Sequence, residues 1–195
     1  MDFKCYIFYK FELFKNINIK YIINRMKESY INEQLLNGNL TLDPKDLTDD
    51  IDIIIRNRLK EQVEGICFED GYVIPDSVKI IKRKLGKVVT TNNKSGIVYN
   101  IEYKAKVICP SEGDIIDIYV NNVNKMGVIG YIRLNEDTDR TIDGSPLIIM
   151  IPQEYFLNTT YNIDDININQ KLTISVIGSR VKFNSDKIQI IGKPI

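Results

Sequence analysis

One stretch constrains this chain more than any other. Between Ile97 and Cys109 every second residue is apolar or aromatic: Ile97, Tyr99, Ile101, Tyr103, Ala105, Val107 and Cys109. That two-residue period predicts a long strand with one buried face, and Pro110 ends it. A helix precedes it, because Ile51, Ile54, Ile55, Leu59 and Val63 recur at helical spacing between Asp49-Asp50 and Glu64. Acids cluster in its first turn and Gly65 follows as the stop. Residues 66 to 81 read as a hairpin around Asp70-Gly71, with Pro75-Asp76 as further turn punctuation.

Further upstream, residues 3 to 14 (FKCYIFYKFELF) alternate and read as a strand. From Ile17 to Leu36 the spacing of Ile19, Ile22, Ile23, Met26, Tyr30 and Ile31 predicts an amphipathic helix that Asn37-Gly38 ends. Leu40 to Leu42 form a short extended piece before Asp43-Pro44.

Past Pro110 the pattern changes to short strands at 114–123, 127–133, 147–151, 172–178 and 187–191, separated by turns rich in Asn, Asp and Gly. Five such strands predict a small barrel, of which the OB-fold is the common five-stranded form. The expected organisation is therefore an N-terminal domain over 1–110 and a barrel over 111–195. Charge divides at the same point. Residues 1–110 carry 18 Lys+Arg and 15 Asp+Glu, the remainder 8 and 11, so the barrel is the acidic half of a neutral chain.

The chain has no histidine, which removes Ser/His/Asp triads, Cys/His pairs, imidazole bases and His-ligated zinc. No P-loop, dinucleotide fingerprint, nucleophile elbow or Cys-x-x-Cys pair occurs. Asp137, Asp139 and Asp143 invite a calcium reading, but Ile142 stands where an EF-hand loop needs glycine, and a solvated acidic turn is favoured. The acidic pairs Asp49/Asp50, Glu69/Asp70 and Asp164/Asp165 suit helix starts and turns. The expectation is a protein without catalysis, metal or cofactor of its own. The apolar N-terminus is broken by Asp2, Lys4, Lys10 and Glu12, and no run reaches a membrane span, so an intracellular protein is expected. Cys5, Cys67 and Cys109 are odd in number and far apart, and read as core thiols in a reducing compartment.

Zero net charge argues against coating nucleic acid by bulk electrostatics. Any such contact has to be local. The one basic concentration holds Lys79, Lys82, Arg83, Lys84, Lys87 and Lys94, with no acid between Asp76 and Glu102, and reads as a lysine-rich loop. In the barrel, Lys125 of the first inter-strand loop and Arg180 and Lys182 of the last are expected at one rim, where they could hold a nucleic-acid backbone.

Two segments carry a family resemblance: RLKEQVEGICFEDGYVI, Arg58 to Ile74, and YNIEYKAKVICPSEGDIIDIYVNNVNKMGVIGYI, Tyr99 to Ile132. In order and spacing they resemble the stalk subunit of multisubunit DNA-directed RNA polymerases, the seventh subunit of the eukaryotic polymerase II and its archaeal counterpart. LTISVIGSRVKFNSDKIQIIGKPI, Leu172 to Ile195, fits the family's closing strands. The resemblance implies an α+β, ribonucleoprotein-like N-terminal domain followed by an all-β, five-stranded OB-fold barrel. It implies partners too: the polymerase core near its clamp, a small helical stalk subunit, and emerging RNA held weakly. Carried over by position, the core-docking tip is Glu64, Gly65, Ile66, Cys67, Phe68, Gly71 and Tyr72, with Asp43 and Pro44 beside it.

The chain departs from the family in three ways. The helix of about 15–37 reads as an insertion. Gly127 is followed by Val128 and Ile129, where an aromatic residue would stack a base, leaving Tyr119 and Tyr131 either as substitutes or as core. The barrel is acidic. These departures and the Ile/Asn/Lys-rich composition suggest a divergent member, from a large DNA virus transcribing in host cytoplasm; a cellular eukaryotic member would be nuclear. The alternative function is a free single-strand RNA-binding OB-fold protein of translation or RNA decay.

Overall fold

The computed structural model describes residues 30–47, 50–91, 94–135, 141–157, 159 and 161–195. The expected strand at 3–14, residues 15–29 of the expected helix, Cys5, Asp137 and Asp139 lie outside the described residues. The described chain falls into two units. One joins residues 31–109 with 181–188, the other 110–180 with 189–195.

The first unit contains, in chain order, β1 (Ile31–Leu42), a 3-10 turn (Pro44–Asp46), α1 (Ile51–Val63), β2 (Cys67–Phe68), β3 (Gly71–Val73), β4 (Lys79–Arg83), β5 (Lys87–Thr91) and β6 (Lys94–Ile108). The long alternating segment is the spine. Along one edge it pairs antiparallel with β1, from Ile31 opposite Ile108 to Leu42 opposite Ile97. Along the other edge β3, β4 and β5 follow one another. Tyr99, Ile101, Tyr103, Ala105 and Val107 are buried together with Ile55, Leu59 and Val63 of α1 and Leu40 and Leu42 of β1. Each large apolar side chain among them contributes about 1.5–3 kcal/mol by leaving water.

The helix expected over about 15–37 is overturned at its C-terminal end, since residues 31–37 belong to β1. Leu36, Leu40 and Leu42 sit at even positions, and pairing along β6 turns that two-residue period to the core. The ladder outweighs the helical spacing that ends at Ile31. Gly38, expected as a helix stop, is mid-strand, where an added Cβ would lie 3.3 Å from the Tyr103 ring. The basic segment is also not a loop. It forms β4 and β5, each held to β6.

The second unit is a closed five-stranded barrel of β7 (Ile115–Asn124), β8 (Gly127–Tyr131), β9 (Leu147–Pro152), β10 (Lys171–Arg180) and β11 (Ile188–Pro194). The strand order is β7-β8-β9-β11-β10, with β10 pairing back to β7. This matches the OB-fold order. Inward-facing Ile116, Ile118, Val120, Val128, Ile149, Ile151, Leu172 and Ile174 are fully or almost fully buried. Gly127 has φ +139°, and a Cβ there would stand 2.0 Å from the carbonyl oxygen of Ile151, so β9 closes on β8 only because the side chain is missing. Ser145 is a buried polar residue of the β8–β9 connection. Its hydroxyl accepts from the Ile132 and Leu147 amides at 3.1 and 3.2 Å and donates to the Leu147 carbonyl at 2.8 Å.

Among the described residues no helix is long and apolar enough to cross a membrane.

Candidate docking and nucleic-acid interfaces

The hairpin expected to form a docking tip is fixed on both of its edges. On one, β3 pairs with β6 through Tyr72 opposite Ile108 and Val73 opposite Val107. On the other, the Cys67 amide donates to the Ser185 carbonyl at 2.7 Å and the Asn184 amide donates to the Cys67 carbonyl at 2.8 Å. Asn184 and Ser185 therefore extend the sheet beyond β2 without forming a regular strand. The turn itself is Glu69-Asp70, between Phe68 and Gly71. Gly71 is needed for what lies opposite it: at φ +127°, an added Cβ would be 2.3 Å from the Ile108 carbonyl oxygen and 2.9 Å from a Val107 methyl.

This arrangement corrects the picture of an outward-facing tip. Cys67, Gly71 and Tyr72 are buried. Burial, and then the nearby Asp186 carboxylate, push the Cys67 thiol up to about 11. Glu64 and Gly65 serve the fold. The Glu64 carboxylate accepts the Val78 amide at 3.1 Å, and the Gly65 amide donates to the Val73 carbonyl at 2.9 Å. The Ile66 carbonyl accepts the Val73 amide at 3.1 Å. Phe68 is half-buried against the core, and its ring meets Phe183 edge-on at 5.9 Å between centroids. Phe183 is 68% exposed. It is the large apolar group this corner presents to solvent, and sequence reasoning missed it because only the folded chain brings residue 183 to residue 68.

Asp43 and Pro44 are not beside the hairpin. They follow Leu42, which pairs with Ile97 at the far end of β6 from Ile108, a separation of roughly 35 Å of strand at about 3.3 Å per residue. Asp43 is exposed there and reaches Lys45 at 3.4 Å.

The basic triplet separates as well. The β4–β6 register slips between Ile80 and Lys82, a bulge that leaves Ile81 unpaired. Lys79 and Lys82, three residues apart, thereby share the solvent face of the sheet with Lys104 and Glu102. Arg83 turns to the helix side, where it bonds Asp52 of α1 at 2.9 Å and lies over the Tyr99 ring at 5.4 Å. Lys82 and Lys84 line a groove of about 250 Å³ with Asn37, Asn39, Asn100 and Glu102.

The barrel's cations do not share a rim. Lys125 is in the turn after the C-terminal end of β7. β10 runs antiparallel, from Lys171 opposite Tyr119 to Ser175 opposite Ile115, and carries Arg180 past the N-terminal end of β7. Lys182 belongs to the segment bonded to β2. The stacking substitutes are covered: Tyr131 is 1% exposed, and the Arg133 guanidinium lies 3.8 Å over the Tyr119 ring while donating to the Tyr131 hydroxyl at 3.0 Å. Val128 is in the barrel core. Among the described residues no three His, Cys, Asp or Glu side chains converge to hold a metal ion.

Among the described residues, fold and surfaces together define a class: a mixed α/β sheet with one α-helix, followed by an OB-type barrel. Within that class, the chain is similar to the DNA-directed RNA polymerase II subunit rpb7 of Dictyostelium discoideum. The two are 30% identical over 94 residues, which cover 47% of this chain and 52% of that protein. The chain thus matches about half the length of that curated relative. No protein-family model matches it.

Proposed function

We propose that this chain is a non-catalytic, stalk-type subunit of a DNA-directed RNA polymerase that docks on the core through its N-terminal unit. The observation that carries this reading is the order of parts, a helix–hairpin sheet followed by an OB-type barrel, coinciding with the 30% identity to a polymerase subunit. The Phe68–Phe183 corner suits docking. An exposed aromatic ring braced by a half-buried one is a rigid anchor for a partner's apolar pocket, and such central anchors can be worth about 2 kcal/mol or more. Emerging RNA is a secondary, weaker contact, and a small helical subunit is the expected companion in the stalk.

Affinity purification from the native source under gentle salt tests the reading. Large polymerase subunits are expected in the eluate, and their absence overturns it. Phe183→Ala and Phe68→Ala should lower recovery of the core far more than Lys125→Ala, because a rim charge contributes less than a desolvated anchor. The barrel order would also serve a free single-strand RNA-binding protein. The covered Tyr119 and Tyr131 and the separated Lys125 and Arg180 make that barrel a poor strand-binding surface.

A further inference from the structure

The solvent face of the N-terminal sheet has a charge pattern that neither the core nor the docking corner requires. By register, Lys79 and Lys82 of β4, Lys87 of β5, and Lys104 and Lys106 of β6 lie on this face, against Glu102 and Glu33. Lys79 stands directly opposite Lys104, a like-charged pair that destabilises an isolated sheet. Lys104 shares Glu33 at 3.4 Å, and neither Lys82 nor Lys84 is in an ion pair among the described residues.

At the middle of this face is the groove of about 250 Å³. Its floor is amide-rich: Asn100 donates to Asn39 across β6 and β1, and Asn37 lies opposite Glu102. Lys82 and Lys84 form its outer wall, both exposed and on the same sheet edge. The bulge at Ile81 puts Lys82 there; unbroken alternation would send that lysine to the core side. Two ammonium groups over a floor of three carboxamides and the Glu102 carboxylate leave a net positive charge for an anion, with in-plane donors and acceptors beside it.

We infer that this groove is a binding site for the phosphodiester backbone of single-stranded nucleic acid, with Lys82 and Lys84 on phosphate and Asn37, Asn39 and Asn100 toward sugar or base edges. It assigns the RNA contact of the proposed function to the sheet instead of the barrel, and rests on that reading only for the identity of the strand. An extended strand suits the face because the cations continue along it, from Lys79 and Lys104 to Lys87, as a row and not a point.

The experiment measures fluorescence anisotropy of a labelled 12-nucleotide oligouridine with the full chain across a salt series. Lys82→Glu with Lys84→Glu is expected to weaken binding at least tenfold and, as Lys82→Ala with Lys84→Ala, to flatten the log–log salt slope by about 1.4, two phosphate contacts at ~0.7 each. Asn100→Ala should weaken binding with the slope unchanged. Lys125→Glu with Arg180→Glu should change affinity less than twofold. Equal loss in the barrel variant, wild-type affinity in the groove variant, or no binding by the wild-type chain at low salt would each overturn the site. So would competition by polyglutamate as effective as that of unlabelled oligouridine, which would mark an acidic polypeptide as the occupant. Polymerase recovery by the groove variant is read in parallel. Core association retained with binding lost supports the site, whereas core association absent from the wild-type chain with the groove still binding refutes the polymerase reading alone.

Discussion

The hairpin β2–β3 and the segment spanning β4 and β5 lie along the same edge of β6, yet most of their apolar residues have opposite fates, Ile80 of β4 being the exception that packs on the core. Cys67, Tyr72 and Val73 are buried, while Ile81, Leu85, Val88 and Val89 are 54%, 89%, 74% and 43% exposed. The hairpin is clasped on both edges, by β6 and by residues 184–185. β4 and β5 pair with β6 alone among the described residues. A segment held on two sides is part of the fold, and a segment held on one is a surface that keeps solvent or a ligand as its other neighbour.

Substitutions can break that contrast. The largest effect is expected from Gly71→Val, which places a branched side chain against the Ile108 carbonyl at a positive φ. A loss of about 4 kcal/mol follows from overpacking and backbone strain together, read as a shift of the urea midpoint. A loss under about 1 kcal/mol would mean that the hairpin is not clasped.

Next is the pH dependence of Cys67. Its thiol ionises at about 11 in the folded chain against an ordinary value of 9.0. The unfolded chain releases this proton first, so stability is complete below pH 9 and falls as pH rises toward 11, by at most about 3 kcal/mol. Cys67→Ala should remove this component of the alkaline loss. Retention of the full decline in that variant would place its origin elsewhere.

Phe183→Ala should cost less than about 1 kcal/mol in stability, since only an edge-on ring contact is lost from an exposed side chain. Its effect on polymerase recovery should be much larger, which separates anchor from scaffold. Smallest of all, Leu85→Ser and Val88→Ser should leave the urea midpoint within about 0.5 kcal/mol of the parent. A larger cost would show these side chains to be covered.

Local signals in the chain carry unevenly into the fold. Wherever hydrophobic period and hydrogen-bonded ladder agree, the elements are legible: the β6 alternation, the α1 face of Ile55, Leu59 and Val63, and the five barrel strands. Residues 31–37 mislead because a spacing of three and four ends where a spacing of two begins, and only the partner strand decides between them. The site is less legible. Lys82 and Arg83 take opposite faces as any strand neighbours do, but a one-residue bulge decides which of them meets solvent, and no composition or periodicity announces a bulge. The family resemblance places Asp43-Pro44 beside the hairpin, whereas the length of β6 separates them.

By itself the sequence determined the absence of imidazole chemistry, the mixed first half, the all-β second half and the position of the charge. These follow from residue identity and local period. Tertiary structure alone decided that Phe68 braces Phe183, that Arg83 is engaged by Asp52 and Tyr99, and that Lys82 and Lys84 face an amide-lined groove. Each depends on strand register, and register is set by pairing between segments far apart in the chain.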